Sequence, residues 1–135
     1  MYNNIVIPVA FGGDRDVDGA MKVAQRLASD GASITFLHVL EVIPVYAADY
    51  VPAQAVAQGR DAVRTALREQ AAKLPGAKMA IVDGPAGRSI TDWADENHAD
   101  CIVIASHQPV MSDILLGSTA SWVVRHANCA VHVLR

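Results

Sequence analysis

A chain of 135 residues, 52 % of them hydrophobic, can bury one substantial core and is too short for two independently folding domains of ordinary size. Its net charge of −3 leaves no basic excess, which argues against nucleic acid or an anionic membrane as a partner. Met1 to Ala10 lacks a basic stretch followed by an apolar leader, and no apolar run nears the ~18–20 residues of a membrane span, so the expectation is a soluble, cytoplasmic protein.

Five short apolar runs set the rhythm: Ile5–Val9, Ser33–Leu40, Lys78–Val82, Cys101–Ser106 and Ala130–Leu134. Near-continuous apolarity rich in Val and Ile is what strands covered on both faces require. Pro8 cannot donate to a sheet ladder, so it marks the end of the first strand. Val17, Met21, Ala24, Leu27 and Ala28 then recur at helical spacing, and Asp30-Gly31 supplies a stop. Ile43 to Val56 breaks the rhythm with Pro44 and Pro52 and reads as a longer connection. From about Ala53 to Leu74, Val56, Val63, Leu67 and Leu74 line one helical face, with Arg60, Arg64, Arg68 and Lys73 mostly off it, until Pro75-Gly76. Gly59 weakens the first turns of that helix by ~1 kcal/mol relative to Ala.

The third strand runs into Asp83-Gly84-Pro85, and a third helix turns Ile90, Trp93 and Ala94 inward before Ala99-Asp100 leads to the fourth strand. Cys101 and Cys129 each stand in an apolar segment, fit neither a disulfide framework nor a zinc-ligand spacing, and read as buried thiols. The last helix begins at Gly117-Ser118, with Ser118 as its cap, and buries Val123, Val124 and Ala127. Strand–helix alternation with right-handed crossovers gives one doubly wound α/β domain, an open, mainly parallel sheet with four helices on both faces. In such sheets ligands sit outside the carboxyl ends of the strands, which directs attention to Pro8–Asp14, Val39–Glu41, Asp83–Gly87 and Ser106–Ser118.

The final quarter of the chain narrows this to a family. Ala99-Asp100-Cys101-Ile102-Val103-Ile104-Ala105-Ser106-His107, then Leu115-Leu116-Gly117-Ser118, then Val123-Val124-Arg125-His126-Ala127-Asn128-Cys129 and the closing strand resemble the universal stress protein family, with weaker matches at Ile5–Pro8, His38-Val39 and Gly84. The resemblance implies the strand order 3-2-1-4-5 and an adenine-nucleotide site. Carried over position by position, that site is Pro8, Val9, Ala10 and Val39, then Ala105, Ser106, His107, Gln108 and Pro109, then Gly117, Ser118 and Thr119. The implied ligand is ATP, ADP or AMP, with an accompanying Mg ion left open. A helix start at Gly117-Ser118 suits phosphate oxygens, because its backbone N–H groups are unpaired and the helix dipole is positive there. The implied assembly is a homodimer through Ala130, Val131, His132, Val133 and Leu134, and the implied role is stress response or signalling.

Three departures separate this chain from the usual nucleotide-binding pattern. Ala105 and Gln108 stand where two glycines are common, and the segment to Gly117 is one residue shorter; a Ser-His-x-Pro loop, here Ser106 to Pro109, resembles a branch that lacks those glycines. Ala10 replaces a common Asp. Between His107 and Leu116 the only ionised residue is Asp113, where a triphosphate prefers Lys or Arg. A nucleotide-free homodimeric scaffold of the same family is therefore the alternative.

Catalysis is not expected, although slow hydrolysis of a bound nucleotide stays open. Ser106-His107 points to opposite faces of a strand, no Gly-x-Ser-x-Gly elbow or phosphate-cradling Lys loop is present, and a receiver-type carboxylate cluster is missing. His38 and His107 read as structural histidines.

Overall fold

The computed structural model describes residues 1–11, 16–41, 50–106 and 116–135. The expected residues Asp14, His107, Gln108, Pro109 and Asp113 lie outside them, as do residues 43–49 of the connection read from Ile43. In chain order the elements are β1 (Tyr2–Pro8), α1 (Val17–Leu27), β2 (Ala28–Leu40), α2 (Ala53–Ala72), β3 (Lys78–Asp83), α3 (Ala86–Glu96), β4 (Cys101–Ala105), α4 (Ser118–His126) and β5 (Ala130–Leu134). All five strands are parallel and ordered β3-β2-β1-β4-β5, so the topology is the expected one and the order reverses beside β1.

Period-two alternation splits the strands between two cores. Ile5, Ile7, Ile34, Phe36, Cys101 and Val103 meet Ala20 and Ala24 of α1 and Leu67 of α2 on one face. Val6, Leu37, Ile102 and Ile104 meet Ile90 and Ala94 of α3 and Ala120 and Val123 of α4 on the other. A strand buried on both faces has no solvent side to mark with polar residues, which is why these runs are continuous in sequence.

Pro8 is the last residue of β1, as its missing donor requires; Val9 lies past the strand, and its N–H still reaches the Leu37 carbonyl at 2.8 Å. Asp30-Gly31 does not end the first helix. That helix stops at Leu27 with its C-cap at Ala28, and the chain passes straight into β2. Tyr2 pairs with Ala28 but Asn4 with Ser33, so β2 carries extra residues there, and Gly31 takes φ +75° within the irregularity.

Val124 is also misplaced by the sequence reading: it is 46 % exposed, while its neighbour Val123 is fully buried and Ala127 partly so. Successive helical residues lie about 100° apart, so the two valines cannot share a face.

Ala99-Asp100 lies in the short connection between α3 and β4. Here the Ala99 N–H bonds the Ala94 carbonyl (2.8 Å) and the His98 N–H bonds that of Asp95 (3.3 Å), with His98 at φ 57°, the paired bonds of a Schellman turn. The Asp100 carboxylate then accepts from the backbone N–H groups of Asn3 (2.8 Å) and Asn4 (2.9 Å), while the Asp100 N–H donates to the Asn4 carbonyl (2.9 Å). Asp100 thereby stitches the start of β1 to the start of β4.

Candidate functional site

The carboxyl ends of β1, β2 and β4 open onto two neighbouring cavities. The smaller, about 220 Å³, is walled mainly by apolar groups: Pro8, Val9, Ala10, Phe11, Leu37, Val39, Ile90 and Ile104, with His38. The larger, about 630 Å³, lies between the starts of α3 and α4 and is lined by Gly84 to Arg88, Ser118, Thr119 and Trp122. Glu41, Ala86 and Thr119 belong to both walls. Strand-end geometry, which needs no family knowledge, thus places the crevice at the reversal of strand order.

Each helix start carries unpaired donors. In α3 the first amide to bond back is that of Ser89, to the Pro85 carbonyl (2.9 Å), so those of Ala86, Gly87 and Arg88 lack an acceptor within the helix. In α4 it is that of Ser121, to Gly117 (2.9 Å), leaving Ser118, Thr119 and Ala120. Neither helix has a side-chain cap. The cap role expected of Ser118 is corrected accordingly: Gly117 is the N-cap and Ser118 the first helical residue. The hydroxyl that serves this turn belongs to Ser106, whose Oγ accepts from the Gly117 N–H at 3.1 Å.

Of the positions carried over from sequence, Pro8, Val9, Ala10 and Val39 line the smaller cavity, Ser118 the larger, and Thr119 both. Ala105 is buried at the end of β4, and Ala105, Ser106 and Gly117 are not among the residues lining these two cavities. Glu41, Phe11, Leu37, Ile90, Ile104 and Trp122 also line these walls and were not singled out as site residues. The strand-end rule contained the signal for Glu41; Trp122 was findable only as the residue one helical turn beyond Ser118.

His38 is a structural histidine. Its Nδ1 lies 2.6 Å from the Val9 carbonyl, which can only accept, so Nδ1 carries the proton; the Phe11 ring stands over it with centroids 5.1 Å apart. Arg60 of α2 braces the rim from outside with two hydrogen bonds to Asp83 (2.7 and 3.2 Å), which hold that carboxyl below the usual aspartate range. Among the described residues no three His, Cys, Asp or Glu side chains converge as metal ligands, and no helix is long and apolar enough to cross a membrane.

Gly87 sets the separation of the two helix starts. A Cβ built on it would lie 2.6 Å from two indole carbons of Trp122 and 2.8 Å from the Trp122 Cβ, so the indole rests directly on the glycine backbone. That indole also stacks on the His126 ring, with centroids 3.8 Å apart. Gly87→Ala is expected to cost about 1–2 kcal/mol, overpacking outweighing the gain in helix propensity, as read by urea denaturation. Unchanged or increased stability would show that α3 and α4 separate freely.

A family model described as the universal stress protein family matches residues 1–135. Universal stress protein G of Escherichia coli O157:H7 is 32 % identical over 142 residues, covering 100 % of each chain. Among solved structures, universal stress protein UspA from Lactobacillus plantarum is 30 % identical with a TM-score of 0.71, covering 99 % of this chain and 98 % of that one. The universal stress protein from Archaeoglobus fulgidus in complex with dAMP shares the fold at 21 % identity and a TM-score of 0.66, covering 99 % and 98 %. With a match along its whole length and the strand order and crevice described above, this chain belongs to the universal stress protein family.

Proposed function

We propose that this chain is an adenine-nucleotide-binding protein, not a metabolic catalyst, that acts in the cytoplasm in stress response or signalling as a homodimer. The observation that carries the reading is the paired cavity. An apolar slot at the ends of β1 and β2 suits a flat base, and the adjoining space between two amide-bearing helix starts suits phosphate. The archaeal relative that shares this fold was solved with a nucleotide of the same class. AMP, ADP and ATP all fit the description. A Mg ion would enter with a polyphosphate, because Glu41 is the one carboxylate among the described lining residues.

Dimerisation is proposed along β5, which stands at an edge of the sheet. The Leu134 carbonyl accepts from the N–H of Ser106, the residue after β4, so by strand alternation Val131 and Val133 turn their backbone groups away from β4, toward a second copy. A ligand-free scaffold remains the second reading, favoured by the Ser106 hydroxyl already occupying the Gly117 N–H and by Ala10 in the wall.

Thermal melting with AMP, ADP and ATP at millimolar concentration, with mass spectrometry of any small molecule released from freshly purified protein, separates the two. Binding at 100-fold above the dissociation constant should raise the midpoint by several degrees. No shift with any of the three favours the scaffold. Light scattering at micromolar concentration should find a dimer, and a monomer would remove the proposed assembly.

A further inference from the structure

Glu41 follows β2 directly and is exposed, and it lines both cavities. A ligand with its base in the smaller cavity and its phosphate at the helix starts must carry its sugar past the wall that the two share, made by Glu41, Ala86 and Thr119. Ala86 is apolar and Thr119 has one hydroxyl, so among the described residues Glu41 brings the only charge to that shared wall. We propose that Glu41 is a specificity-determining residue whose carboxylate accepts hydrogen bonds from ribose hydroxyls, making the site select ribonucleotides over deoxyribonucleotides. The inference rests on the adenine-nucleotide reading above.

Three considerations assign it that partner. A carboxylate is acceptor-only, and an adenine ribonucleotide meets it with two sugar O–H donors, whereas phosphate oxygens are repelled by it and drawn to the amides of α3 and α4. Among the described residues the Glu41 carboxylate has neither an ion pair nor a hydrogen bond. An acidic side chain at the end of the second strand is also how doubly wound dinucleotide folds hold a ribose, for the same geometric reason. The archaeal relative with dAMP shows that this fold accommodates a deoxy sugar. Discrimination here is assigned to Glu41 and not to the fold.

Calorimetric titration at fixed salt with AMP, 2′-deoxy-AMP and 3′-deoxy-AMP tests this on the full chain. Wild type should bind AMP about 10- to 100-fold more tightly than the weaker deoxy analogue, the span expected for hydrogen bonds to a charged acceptor. Glu41→Ala should bring AMP down to that analogue's affinity, and Glu41→Gln, which keeps one acceptor oxygen, should fall between. Melting curves confirm that each variant folds, and Glu41→Gln decides alone if Glu41→Ala does not. Equal wild-type affinity for all three ligands, or full discrimination in a folded Glu41 variant, would overturn the assignment while leaving nucleotide binding intact. Failure of every ligand to bind wild type would remove both.

Discussion

Asp100→Ala should lower the unfolding free energy by about 3 kcal/mol, measured by urea denaturation, while a neighbouring surface change such as Asp95→Ala costs far less. The carboxylate accepts two backbone N–H groups of β1 in a position where the β1–β4 ladder, paired from Ile5 with Cys101, has not yet begun. Removing it strands two donors that no neighbouring strand is placed to satisfy. Partial access to water at Asn3 keeps the cost below the sum of two charged hydrogen bonds. Asp100→Asn is a sharper control. One of its two atoms must be an amide nitrogen facing an N–H, so it should recover less than half the loss. An unchanged midpoint for Asp100→Ala would mean that β1 and β4 hold together without this stitch.

Raising pH from 8 to 11 should remove up to about 3 kcal/mol of stability through one thiol. Burial at the centre of the sheet, with Cys129 and Asp100 nearby, pushes the Cys101 thiol up to about 11 from an ordinary value of 9.0. Between those values the unfolded chain gives up a proton that the native protein keeps, so the unfolded state binds fewer protons and stability falls as pH rises. The contribution is fully present below pH 9 and is lost as pH passes through the native value. Lysine and tyrosine titration adds its own slope, so wild type is compared with Cys101→Ala, in which the alkaline loss should be shallower by that amount. Parallel losses in the two proteins would show that the thiol ionises without penalty in the native state.

The elements that could be read from sequence were those whose chemistry is local. β1, β2 and β4 were legible because two-sided burial demands unbroken apolar runs, the edge strands β3 and β5 because they too are largely apolar, and α2 because Val63 and Leu67 repeat on one face, although Val56, read on that face, is exposed. The misreadings came where one local signal had two outlets. Asp30-Gly31 does mark a backbone irregularity, but inside β2, since Ala28 already pairs with Tyr2. Val124 is as apolar as Val123 and differs only in facing outward. Ser118 is a good capping residue by type, yet Ser106, remote in sequence, supplies the hydroxyl, a choice made by how β4 and α4 are brought together. The same holds for the site. Pro8 to Ala10, Val39, Ser118 and Thr119 were placed by the family resemblance at strand ends and helix starts, whereas Trp122 joins the crevice only after α3 and α4 have packed across Gly87.

The Ser106–Gly117 hydrogen bond ties off the base of the excursion that joins the fourth strand to the last helix, clamping residues 11 apart in sequence. Because closing a longer loop costs only slowly more entropy, residues can be gained or lost between the clamped ends at little expense. The start of the last helix is thereby fixed to the end of the fourth strand by a single hydroxyl, whatever number of residues separates the two.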